Sequence, residues 1–175
     1  MSFEELYGVR GSVISAVDLV QGIGLCAGLR VIRVPGATAN YHTDFAAKGH
    51  AAIEALRGGD DFVYIHVEAP DECGHRHEVS EKIYSIEQID HKIVGPVMEY
   101  LQGCGEDYAA LLMPDHPTPL SLMTHTSDPV PFALVRKGDC GLEPRRFTEK
   151  QAAETGIFVN EAHTLMQRLL RGPGL

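Results

Sequence analysis

Apolar side chains recur in two rhythms along this chain. Compact runs rich in β-branched and aromatic residues, Val31 to Val34, Phe62 to Val67, Tyr108 to Met113 and Val130 to Val135, read as strands. The first is stopped by Pro35-Gly36. Elsewhere the spacing widens to three and four. Val13, Val17 and Val20 predict a helix over residues 12–20 that breaks at Gly22 and Gly24. Thr43 or Asp44 can cap a helix running to Leu56 and ended by Gly58-Gly59. Ser80 caps the longest one, with an apolar face of Ile83, Ile86, Ile89 or Ile93, Val97 and Leu101. Pro96 inside that pattern predicts a kink or break near Gly95. A short helix from about Thr148 and a terminal one from Asn160 to Leu170 complete the chain, which shows no repeats and no interdomain linker.

Strands alternating with helices predict an α/β protein, a three-layer α/β/α arrangement around a mainly parallel sheet. Sites in such sheets form outside the carboxyl ends of the strands. Two polar segments lie there: Glu68 to His77, after the strand ending at Val67, and Pro114 to Ser127, after the strand ending at Met113.

These segments carry the candidate chemistry. Asp71 and His75 stand four apart. Asp115-His116 sits in a loop stiffened by Pro114, Pro117 and Pro119, and His125 lies within loop reach of it. Carboxylates and imidazoles gathered in this way suit divalent ions, and a phosphate ester is the obvious thing for such ions to bind. His66 is read as a core residue, His77 as solvent-facing, and His42, His50, His91 and His163 as solvated. Glu68 either orients an imidazole or serves as a cap. Lys48, one turn into its helix, is a candidate phosphate contact, simple exposure being the commoner alternative.

Charge sharpens this picture. The net charge of -9 argues against a nucleic-acid or anionic-membrane partner. It also makes bound cations close to a requirement for holding a phosphorylated substrate. Cys26, Cys73, Cys104 and Cys140 are scattered without CxxC pairing and read as small buried hydrophobes of a reduced, cytoplasmic protein. No apolar run reaches membrane-spanning length, and a 44% hydrophobic chain of 175 residues can build one domain with a real core.

Several motifs together resemble the archaeal-type branch of the cofactor-independent phosphoglycerate mutases, in the alkaline phosphatase superfamily. They are Ile14-Ser15-Ala16-Val17-Asp18-Leu19 with Gly22-Ile23-Gly24, Pro35-Gly36-Ala37-Thr38, and His66 through His75. Lys82-Ile83, Ile86-Glu87, Asp90, Pro114 through Pro119, His125-Thr126 and Asp128 through Phe132 follow in family order.

The resemblance implies two divalent ions at the carboxyl edge of the sheet, manganese first, with magnesium or zinc as alternatives. Asp71, His75 and His125 would form one ion's site; Asp115 and His116 would supply part of the other. A serine is phosphorylated by the substrate and returns the phosphoryl group to the neighbouring hydroxyl, interconverting 3- and 2-phosphoglycerate. That serine, a further aspartate ligand and an inserted substrate domain belong to an N-terminal segment of the family that this chain does not contain. Ser12, Ser15, Ser121 and Ser127 do not match the nucleophile's surroundings, so no catalytic residue is assigned here. Ala39 and His77 stand where the family pattern has glycines.

Residues 1–175 are thus expected to be the C-terminal part of one phosphatase-like domain, inactive as a mutase alone. The absent strands would leave an open sheet edge, favouring self-association or docking with the missing part. A phosphomonoesterase, a homoserine kinase of the same branch and a non-catalytic remnant are the rival expectations.

Overall fold

A computed structural model describes residues 1–139 and 145–171. The chain divides into two compact units, one of residues 1–103 with 118–124, the other of residues 104–117 with those from His125 onward.

The first unit is built on a three-stranded parallel sheet in the order β2-β1-β3, from β1 (Gly11–Ile14), β2 (Arg30–Ile32) and β3 (Phe62–Ile65). In register, Val13 lies between Val31 and Tyr64. The helix expected over residues 12–20 is therefore a strand at its start. Every residue of β1 is buried, so the alternation that marks a strand with one wet face is lost. Val13 and Val17 only mimic helical spacing across the strand's end. The helix that follows, α2 (Asp18–Cys26), begins later and runs through both glycines instead of breaking at them. Gly24 is needed there, because a Cβ on it would collide with Val13 Cγ1 of the sheet. Before the sheet, α1 (Phe3–Tyr7) is closed by a Ser2/Glu5 capping box, and Phe3 stacks on Phe62 at 4.8 Å.

Helix α3 (Phe45–Arg57) starts where a cap was expected, and Asp44 is the cap: its carboxylate accepts from the Ala47 amide at 2.8 Å. After β3 the polar segment from Glu68 forms a helix that no apolar spacing had marked, α4 (Ala69–His75), with Pro70 in its first turn. Helix α5 (Val79–Ile89) begins after Glu78 rather than at Ser80. It continues through a π-helical turn (Asp90–Val94) into α6 (Gly95–Gly103). Pro96 thus breaks nothing. The Gly95 amide bonds five residues back to the Asp90 carbonyl, and this widened turn accommodates a residue with no amide proton.

The core gathers Phe45, Ala69 and Ile93, with Tyr41, Ile65, Val67, Ile89 and Val97 packed against them. Ile83 and Ile86, expected on the inner face, are about half exposed, at 53% and 52%. The fully buried residue of α5 is Ser85, on the helix that packs closely on α4. Two short helices in close contact favour a small side chain there, and the isoleucines turn outward.

Lys48 is only 1% exposed, so simple exposure is excluded. Its ammonium donates to the His66 carbonyl at 3.4 Å. Burial pushes the Lys48 pKa below the ordinary lysine range, against the opposing pull of Glu68.

The second unit pairs β4 (Ala109–Leu112) with β5 (Ala133–Arg136) in antiparallel register, Ala109 opposite Arg136, so the parallel arrangement holds for the first unit's sheet alone. Helix α7 (Glu149–Glu154) is capped by Thr148, and α8 (Thr164–Arg171) starts later than Asn160 and packs on β4. Of the cysteines read as buried, Cys73 is so, Cys104 is half-buried and Cys26 is exposed; Cys140 lies outside the described residues. No helix of the described residues is long and apolar enough to cross a membrane.

Two glycines should respond oppositely to alanine. A Cβ on Gly49 would meet the Lys92 carbonyl of the π-helical turn at 2.5 Å, whereas one on Gly22 meets nothing. Gly49→Ala should cost about 1–3 kcal/mol and Gly22→Ala should gain about 0.5–1 kcal/mol in urea unfolding.

Lys48→Met should stabilise at neutral pH by roughly 1 kcal/mol, since it removes a buried ammonium. A lysine pKa lowered in the fold destabilises wherever the folded protein must hold the proton, and that penalty fades as pH rises towards the ordinary lysine value. The advantage of methionine should therefore shrink on raising the pH, read from unfolding midpoints at two pH values.

Candidate metal centre

The carboxyl end of β3 leads through His66, Val67 and Glu68 into α4. Asp71 falls in the first turn of that helix and His75 in the last, and positions four apart share a helix face. Asp71 Oδ1 and His75 Nε2 are accordingly 3.4 Å apart. Two metal–ligand bonds of about 2.1 Å at right angles separate their ligand atoms by about 3 Å, so the pair fits one divalent ion.

Around them the structure shows what spacing could not. Carboxylate oxygens of Glu68, Asp71 and Glu72 lie within 4.8 Å of one another, and Glu72 also pairs with Arg76 at 2.6 Å. Arg76 in turn holds Glu78 at 2.8 Å, which keeps that carboxyl below its usual range. Glu72 stood inside the quoted motif, but nothing in its spacing distinguished it from a solvated acid. Glu68 occupies the position before α4, and its side chain makes no capping hydrogen bond. Cys73 is fully buried, and burial raises its thiol pKa, as befits a filler. Gly74 lies against the loop 118–124: a Cβ there would come within 2.6 Å of the Thr118 carbonyl.

His77, where the family pattern has a glycine, adopts the left-handed conformation at φ 56°. Its Nδ1 meets the Leu120 carbonyl at 2.6 Å. The turn keeps a glycine's backbone, and the side chain secures it. His66 is half-buried with Nδ1 3.1 Å from Ser15 Oγ, which also accepts from the Val17 amide at 3.0 Å. His42, His50, His91 and His163 are exposed.

In the second unit, Asp115 and His116 follow the carboxyl end of β4. Asp115 Oδ1 accepts from the His116 amide at 3.1 Å, and Oδ2 lies 3.4 Å from His116 Nε2. The Thr126 amide bonds the Pro117 carbonyl at 3.1 Å, closing the loop so that His125 returns beside His116, ring centroids 3.8 Å apart. Of the five expected ligands, Asp71 and His75 belong to the first unit and Asp115, His116 and His125 to the second. Lys48 belongs to the interior of the first unit.

The profile of the metalloenzyme superfamily matches residues 1–171. The chain is 49% identical over 170 residues to a 2,3-bisphosphoglycerate-independent phosphoglycerate mutase of Methanothrix thermoacetophila, covering 97% of this chain and 43% of that protein. A Methanosarcina acetivorans protein of the same name is 45% identical, with 89% of this chain and 39% of that protein covered. Among solved structures, the PH0037 protein of Pyrococcus horikoshii superposes with a TM-score of 0.79 at 31% identity, over 88% of this chain and 46% of that one. The chain therefore spans less than half the length of these relatives. Matched from its first residue to residue 171, it belongs to the metalloenzyme superfamily, and its named relatives there are phosphoglycerate mutases that need no bisphosphoglycerate.

Proposed function

We propose that this chain supplies the metal-binding part of an enzyme that interconverts 3-phosphoglycerate and 2-phosphoglycerate through a phosphoserine. The observation that carries the reading is the Asp71–His75 pair, carboxylate and imidazole 3.4 Å apart at a strand's carboxyl end. The names of the relatives supply the substrate. By the family resemblance, Asp71, His75 and His125 would hold one divalent ion, and Asp115 and His116 would contribute to a second. Manganese suits this mixture of carboxylate and imidazole, with magnesium and zinc as competitors. When bound, the ions supply the positive charge that neutralises phosphate oxygens.

The chain's own residues bind and orient. Acidic overall at -9, the protein attracts a phosphorylated acid only where cations reverse the local field. Ser15 is 3% exposed and engaged by the Val17 amide, which does not suit a nucleophile. On this reading the phosphorylated serine belongs to a part of the enzyme outside this chain, which docks with it or is continuous with it. On this reading the reaction belongs to glycolysis, in the cytoplasm, without nucleic-acid or membrane partners.

Asp71→Ala and His125→Ala should each lower bound manganese per chain, measured by elemental analysis after dialysis; unchanged content in both would remove the assignment of the first ion. The 175-residue chain should show no mutase activity alone. Mixed with the complementary N-terminal portion of the Methanothrix relative, it should interconvert the two phosphoglycerates in a coupled assay. Turnover of a different phosphate ester by that mixture, with none of phosphoglycerate, would refute the substrate.

A further inference from the structure

The loop 118–124 belongs to the same unit as α4 and is fastened to that side of the molecule by three side chains. Lys82 Nζ, in α5, donates to the Thr118 carbonyl at 2.8 Å. His77 Nδ1 meets the Leu120 carbonyl at 2.6 Å, and His75 Nδ1 meets the Met123 carbonyl at 3.0 Å. A fourth contact runs the other way, from the Thr118 hydroxyl to Asp71 Oδ1. Thr118 is 6% exposed, and its carbonyl sits close over Gly74.

Two details go beyond loop anchoring. A carbonyl oxygen only accepts, so Nδ1 of His75 donates to it and the ring turns Nε2 towards Asp71. Met123 presents that carbonyl from the left-handed region, φ 53°, which a non-glycine residue enters at a cost and which clusters at functional sites. The hydroxyl of Thr118 likewise only donates to a carboxylate, and it engages the same Asp71 oxygen that faces His75.

We propose that Thr118 and Met123 are positioning residues that orient Asp71 and His75 as one ligand pair. Thr118 acts through its hydroxyl, Met123 through its carbonyl, and Lys82 holds Thr118 in place. The basis is the assignment of Asp71 and His75 as metal ligands made above. Partners that fix a ligand's rotamer and tautomer spare the site the cost of ordering it when the ion arrives, and their loss typically weakens metal binding about 10–100-fold.

The test titrates the 175-residue chain with manganese, followed by electron paramagnetic resonance, for wild type, Thr118→Val, Thr118→Ser and Asp71→Ala. Valine keeps the shape and removes the donor; serine keeps the donor. About tenfold weaker binding in Thr118→Val, recovery in Thr118→Ser and equal melting temperatures of the metal-free proteins are expected. Equal affinity of Thr118→Val and wild type, with Asp71→Ala weakened, would overturn the positioning role and leave the ligand assignment standing. Equal affinity of Asp71→Ala and wild type would overturn both. Should Thr118→Val fail to fold, nitrogen-15 spectra of neutral His75 in the metal-free wild type decide the matter. Protonation at Nδ1 is expected, and a proton at Nε2 would refute the proposal.

Discussion

Asp71 and His75 are separated by about one turn of α4, and helical geometry places positions four apart on one face whatever else the protein does. Several neighbours keep that turn helical. Pro70 starts the helix at a position where a missing amide proton costs nothing. Gly74 lets the loop 118–124 approach the helix closely, and His77 ends the helix in a conformation that glycine would hold more cheaply. The 3.4 Å between the two donor atoms depends on these neighbours as much as on the donors themselves.

How far the sequence discloses this depends on which signal each residue leaves. That Asp71, His75, Asp115 and His116 follow the carboxyl ends of strands was legible, because apolar runs that stop before polar segments mark where a strand ends. The strands β2, β3 and β4 and the helix α3 were legible from apolar runs bounded by turn residues and an acidic cap. β1 was not, because a strand buried on both faces loses its alternation and three valines imitated a helix. Nor was α4, whose composition is dominated by site residues rather than by an apolar stripe. Thr118 and Lys82 stood inside quoted motifs, but their contacts, like that of Met123, were not legible, since hydrogen bonds between distant positions carry no local pattern.

Charge shows the same division between what composition states and what packing decides. A net charge of -9 describes the outer field and suits a surface that takes in cations. It says nothing of Lys48, whose ammonium is withdrawn from water and answers to the His66 carbonyl and to Glu68. A lysine tolerated at such a position costs stability, and proteins that keep one despite that usually do so for a local electrostatic reason.

The π-helical turn between α5 and α6 has a consequence for how the chain can vary in length. A widened turn is what remains when one extra residue is absorbed within a helix without shifting the register on either side. Removing a single residue from Asp90–Val94 would let the turn close to ordinary α-helix while Ile89 and Val97 kept their places against Phe45 and Ala69. The casualties would be local: the close approach of the Lys92 carbonyl to Gly49 and the easy seating of Pro96. This helix therefore contains a tolerant joint at a position where the rest of its length admits no slippage.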